Sequence, residues 1–117
     1  MDDEGQDKNW KLKLRYGKLK TPFQHFTLLA DGVVGDLMEG FSCRPGSAIM
    51  AMKVWASSAE EAFDMIRAIG EQIGFTVTGR IQIYETAPVS PPPRENPHGY
   101  DIRFTPYDDE RERPTIN

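Results

Sequence analysis

Two apolar-patterned runs joined by a capped helix, spanning Ala48 to Glu85, restrict the fold more than any other part of this chain. "AIMAMKVWA" (48–56) reads as a strand, and two serines follow it. Ser58 and Glu61 stand at capping-box spacing: the serine oxygen accepts from a free backbone N–H, and the glutamate reaches back to the cap. Apolar Ala59, Ala62, Phe63, Ile66, Ile69 and Ile73 then recur at helical spacing, with Glu60, Glu61, Asp64, Arg67 and Glu71 on the opposite side. Gly74 supplies a left-handed stop. "FTVTGRIQIYE" (75–85) alternates at once, Phe75, Val77, Ile81 and Ile83 inward and Thr76, Thr78, Arg80, Gln82 and Tyr84 outward. If strands this closely joined share a sheet, they run parallel with a right-handed crossover.

Upstream, Trp10 to Tyr16 also alternates, with Trp10, Leu12, Leu14 and Tyr16 against Lys11, Lys13 and Arg15. That pattern predicts a strand with one buried face. Gly17 ends it and Pro22 punctuates the link to a second run, Phe23 to Ala30. Asp31-Gly32 sits between "FTLLA" and "VVGDL" and predicts a two-residue hairpin. Residues 39–47, with Gly40, Pro45 and Gly46, read as a loop.

Downstream, seven of the nine prolines lie at or beyond Pro88, which rules out regular helix or central strand there. Pro88 to Pro97 is therefore expected to be a stiff, extended strap. "GYDIRFTPY" alternates again, which predicts an extra strand from Tyr100 to Thr105 with Tyr100, Ile102 and Phe104 buried together. As a displayed ligand, "PVSPPPR" is the weaker reading, because its arginine falls one residue outside the usual register. The expected architecture is a two-layer α+β domain, a mostly antiparallel sheet of five to six strands with one main helix on one face. It would span residues 10–107, between an acidic flexible N-terminus (1–9) and a charged flexible C-terminus (108–117).

A chain of 117 residues is one domain, able to bury about 65% of its extended surface. No run approaches the roughly 20 apolar residues of a membrane span. The acidic first residues do not read as a secretory signal. The single cysteine, Cys43, excludes an intramolecular disulfide and fits a reducing compartment, so the expectation is cytoplasmic.

Candidate chemistry is sparse. Cys43 lies in a Gly/Pro loop beside Arg44, but a nucleophile needs a base, and neither His25 nor His98 stands at a recognisable spacing from it. Two distant histidines with scattered carboxylates make no metal-ligand pattern, and no cofactor motif is present. "GFSCRPGS" lacks the Gly-Lys-Ser/Thr ending of a phosphate loop. Glu60/Glu61 and Asp108/Asp109 are explained by a helix first turn and a solvated tail.

The outward sheet face is more informative. It is expected to collect Lys11, Lys13, Arg15, Lys53, Trp55, Arg80 and Tyr84, with Ile49 and Ala51. Cations with aromatics on an open sheet are one way to hold single-stranded nucleic acid. Against that stand the net charge of −4 and the lack of an aromatic recognition signature. The leading expectation is a non-catalytic interaction or oligomerisation module whose partner is itself, as a homodimer, or another protein, through exposed Trp55 and Ile49 or an open strand edge. A third reading is a small-molecule binder or enzyme with a pocket between strap and sheet, where Cys43, His98, Tyr100 and Asp101 would converge.

Overall fold

The computed structural model describes residues 9–107. The tails expected to be flexible, residues 108–117 and all but Asn9 of 1–9, lie outside them. The element order is α1 (Trp10–Arg15), β1 (Gln24–Val34), β2 (Gly46–Ala56), α2 (Ala59–Ile73), β3 (Phe75–Glu85) and β4 (His98–Pro106). The strands form one antiparallel sheet in the order β3-β1-β2-β4. Because β2 and β3 each pair antiparallel with β1, they run parallel with β1 between them. The α+β class holds, with four strands and two helices in place of five to six strands and one main helix.

Two local competitions account for the difference. Trp10 to Arg15 is a helix, because six residues of Trp, Lys, Leu and Arg suit either period, and Lys, Leu and Arg are strong helix formers. Trp10 and Leu14, four apart, share a helix face and are half-buried, whereas Leu12 and Tyr16 stay 51% and 69% exposed. Asp31-Gly32 is no turn: β1 runs straight through it and pairs on both sides. Gly32 is there for close approach, since a Cβ would stand 2.2 Å from the Thr76 carbonyl oxygen and 2.6 Å from the Phe75 ring. A bulge between Ala30 and Gly32 on this side of the ladder accompanies the contact.

The helical unit forms as its caps dictate. Ser58 Oγ accepts from the Glu61 N–H at 3.1 Å, and Gly74 ends the helix at φ 109°. Glu61 reaches one residue further back than expected, accepting from the N–H and hydroxyl of Ser57, both at 2.7 Å. α2 lays Ala62, Ile66, Gly70 and Ile73 on the sheet face made by Phe26, Leu28, Ala30, Met50, Met52, Val54 and Phe75. No described helix is long and apolar enough to cross a membrane.

The strap leaves β3 at one edge of the sheet and enters β4 at the other, so it must cross β1 and β2. It does so on the face opposite α2, where it bonds to side chains of Trp55 and Tyr100, and Thr86 just ahead of it bonds to His25.

Candidate functional site

The register of the sheet assembles an aromatic corner on this second face. His25 on β1 pairs with Trp55 on β2, and Trp55 pairs with His98 on β4. One row along, Lys53 pairs with Tyr100. The His25 and Trp55 rings meet edge to face at 5.0 Å, His25 and Tyr100 lie 5.7 Å apart, and His98 stacks on Tyr100 at 5.7 Å and 6°.

Tyr100 reaches this corner through a bulge. Met50 pairs with Phe104 and Ala51 with Arg103, but the next pair is Lys53 with Tyr100, so Asp101 and Ile102 together oppose Met52. Asp101 takes φ 54°, a left-handed conformation that aspartate tolerates better than most side chains. The extra residue reverses parity. Ile102 and Phe104 pack on the core, whereas Tyr100 and Asp101 face the other way. The expected common burial of Tyr100 with Ile102 and Phe104 is thus corrected. Asp101 bonds to Lys53 Nζ and, at 3.0 Å, to Arg103 Nε, and these two cations hold its carboxyl below its ordinary range.

The strap is tied down through one hydroxyl. Between Pro88 and Pro93 only Val89 and Ser90 carry a backbone N–H, and both donate to Tyr100 Oη, at 3.1 and 3.3 Å. With both lone pairs engaged, the hydroxyl gives its proton to His25 Nε2 at 2.8 Å. Nδ1 is then the protonated nitrogen and donates to the Thr86 carbonyl at 3.0 Å, with Thr86 Oγ1 at 3.2 Å. Trp55 Nε1 donates to the Ser90 carbonyl at 2.9 Å. Burial lowers the pKa of His25 below its ordinary 6.5; the bond to Thr86 opposes the shift and the nearby Lys53 charge adds to it. His25 is 6% exposed and Trp55 2%, both beneath the strap.

The seven residues expected to share a basic aromatic face do not assemble. Lys11, Lys13 and Arg15 are on α1, not on a sheet strand. Lys53 is paired with Asp101, and Trp55 is covered rather than exposed. Arg80 lies where the β1–β3 ladder loses register, and Tyr84 stands opposite Thr27, 49% exposed. Of the four residues expected around a strap pocket, His98, Tyr100 and Asp101 come together. Cys43 does not, since it precedes Gly46 at the end of β2 remote from Trp55 and packs at the core margin.

The arrangement holds the strap and leaves little for a substrate. A phenol bonded to a histidine nitrogen would suit proton transfer, but here every bonding position of the hydroxyl is taken by this chain. Shallow depressions lie along residues 93–97 of the strap and His98, between α2 and β3 at Phe63, Arg67 and Ile81, and between α1 and Ala87–Pro88. No group of three or more His, Cys, Asp or Glu side chains able to hold a metal occurs among the described residues. Sequence reasoning missed His25, Thr86, Val89 and Ser90 as parts of the site. The available signal was a lone histidine inside an apolar strand, which needs a partner for each ring nitrogen. Comparison with family models, with curated proteins and with solved structures returns no match.

Proposed function

We propose that this chain is a small interaction module without catalytic activity, which self-associates through the part of the second sheet face that the strap leaves uncovered. The observation that carries this reading is the apolar strip there. Leu29 pairs with Ala51 and Asp31 with Ile49, so Leu29, Ala51 and Ile49 are near neighbours at mid-sheet, all half-buried. Val33 and Tyr84 flank them, 41% and 49% exposed. Trp55, part of the sequence-based case for association, now belongs to the strap contact, so the weight of the proposal moves to this strip. Twofold pairing is the commonest way for a soluble chain to cover such a surface.

Sedimentation equilibrium from micromolar to near-millimolar concentration tests it. The expected result is a concentration-dependent dimer that Tyr84→Glu or Val33→Glu weakens at least tenfold, with little effect on folding because both side chains are exposed. A wild-type chain that stays monomeric across that range would overturn the reading.

A further inference from the structure

We infer that the aromatic corner of His25, Trp55 and Tyr100 is a binding site for an extended, proline-rich peptide, and that the strap fills it in cis. The inference rests on the reading of the domain as an interaction module and supplies a ligand class for one part of its surface. Three observations carry it.

The occupant is proline-rich: "PVSPPP" from Pro88 to Pro93 has four prolines in six residues. Such a segment is extended before it docks and loses little entropy on binding. The groove also reads the features that distinguish such a chain. The carbonyl accepting from Trp55 Nε1 is that of Ser90, the residue before Pro91, and so belongs to a tertiary amide, a good acceptor with no N–H beside it. Tyr100 Oη meets the only two N–H groups of the run. Finally, the contacts come from strands rather than loops. His25, Trp55 and Tyr100 sit on three adjacent strands, β1, β2 and β4, so the groove is built by the sheet rather than by the strap that covers it. Indole N–H, tyrosine hydroxyl and flat rings together are the chemistry by which aromatic grooves hold polyproline chains.

A peptide in trans must displace a strap whose effective concentration is on the order of millimolar. The test therefore frees the groove first. Pro88–Pro93 is replaced by a Gly/Ser segment of equal length, which keeps β4 and Tyr100 in the chain. A synthetic peptide of residues 86–96 is then titrated while the Trp55 indole N–H resonance is followed. The expected result is a saturable Trp55 shift, with binding at least tenfold tighter than to the wild-type chain. Tyr100→Phe in the replaced chain, which keeps the Trp55 resonance and removes the acceptor for the peptide N–H groups, should weaken it about three- to tenfold. A peptide carrying Pro91→Ala, Pro92→Ala and Pro93→Ala should bind more weakly still.

A folded replaced chain that leaves Trp55 unshifted overturns the inference. If that chain does not fold, Pro91→Ala, Pro92→Ala and Pro93→Ala in the full-length protein take its place: they weaken the strap and leave His25, Trp55 and Tyr100 intact, the peptide should then shift Trp55, and no shift overturns the inference. The outcome separates from that of self-association. A dimer that ignores the peptide refutes this site alone, and a monomer that binds it refutes only the dimer.

Discussion

The two faces of the sheet are covered by different means. Against α2, the sheet presents Leu28, Met50, Met52 and Val54, all at zero exposure, and the contact is apolar packing with no directional bond required. Against the strap, the same strands present His25, Trp55 and Tyr100, and four hydrogen bonds to strap or adjoining backbone orient the cover. Apolar packing tolerates small shifts and contributes through area; a bonded hydroxyl either has its partners or lacks them. The helix layer is therefore expected to carry stability, and the strap layer to carry a conformation that can be lost separately.

The largest test of that contrast is truncation after Ala87, which removes strap and β4 together. Ile102 and Phe104 belong to the helix-side core and Tyr100 to the strap side, so both layers suffer. The expected loss is about 4–6 kcal/mol, from ~1.5–3 kcal/mol for each fully buried large side chain scaled to partial burial. An unchanged melting temperature would mean that β4 is not an integral strand. Ile66→Ala strikes the helix layer alone, and denaturant unfolding should register a loss of about 3 kcal/mol. A loss under about 1 kcal/mol would say that the helix face is not the main source of stability.

Tyr100→Phe touches only the strap layer. It should lower global stability by about 1–2 kcal/mol, yet raise amide exchange at Val89 and Ser90 well above that of the β1–β2 ladder. Uniform acceleration across both layers would dissolve the distinction between them.

The smallest expected effect is with pH. His25 is held neutral with its pKa lowered, so the unfolded chain binds its proton more readily than the folded one. Its contribution is complete above the ordinary value of 6.5 and is lost as pH falls from there through the lowered folded value. Lys53 from β2 is the cation acting on it, while Asp101, between Lys53 and Arg103, stays ionised throughout this window. Protonated Nε2 would need to donate to a hydroxyl whose lone pairs already serve Val89 and Ser90, so acid should loosen the strap first. Thermal melts at about pH 7.5 and about pH 5.5 should differ, and His25→Gln should reduce the difference. Equal pH dependence in the variant would assign it to other groups.

What could be read in the sequence follows the same division. The β2–α2–β3 unit is legible because caps, periodicity and the left-handed glycine agree with one another, and the structure matches them at Ser58 and Gly74. The strap and the strand after it were legible from proline chemistry and alternation. Trp10 to Arg15 was not, since so short a run satisfies both periods and no local signal shows the lack of a strand partner. Gly32 after Asp31 has the local chemistry of a turn residue, whereas its role is set by Phe75 and Thr76, more than forty positions later in the sequence. The site was least legible. It depends on a bulge at Asp101, and the even spacing of Tyr100, Ile102 and Phe104 conceals the change of face.

That bulge gives β4 an unusual response to a change of length. Deleting Asp101 would restore an unbroken ladder with β2, with Ile102 opposite Met52 and Tyr100 still opposite Lys53, so neither side chain would change face. Most single deletions in a strand turn every side chain beyond them to the wrong face. This one would spare both layers and remove only the carboxylate that links Lys53 to Arg103. Keeping Asp101 but straightening its left-handed backbone would do the opposite: Tyr100 would fall opposite Val54 and turn toward α2, stripping His25 of its hydrogen-bond donor and two strap N–H groups of their acceptor. One irregular residue thus lets a single edge strand serve two layers with unlike chemistry, and the backbone conformation at Asp101 is as much a part of the strap's attachment as the Tyr100 hydroxyl itself.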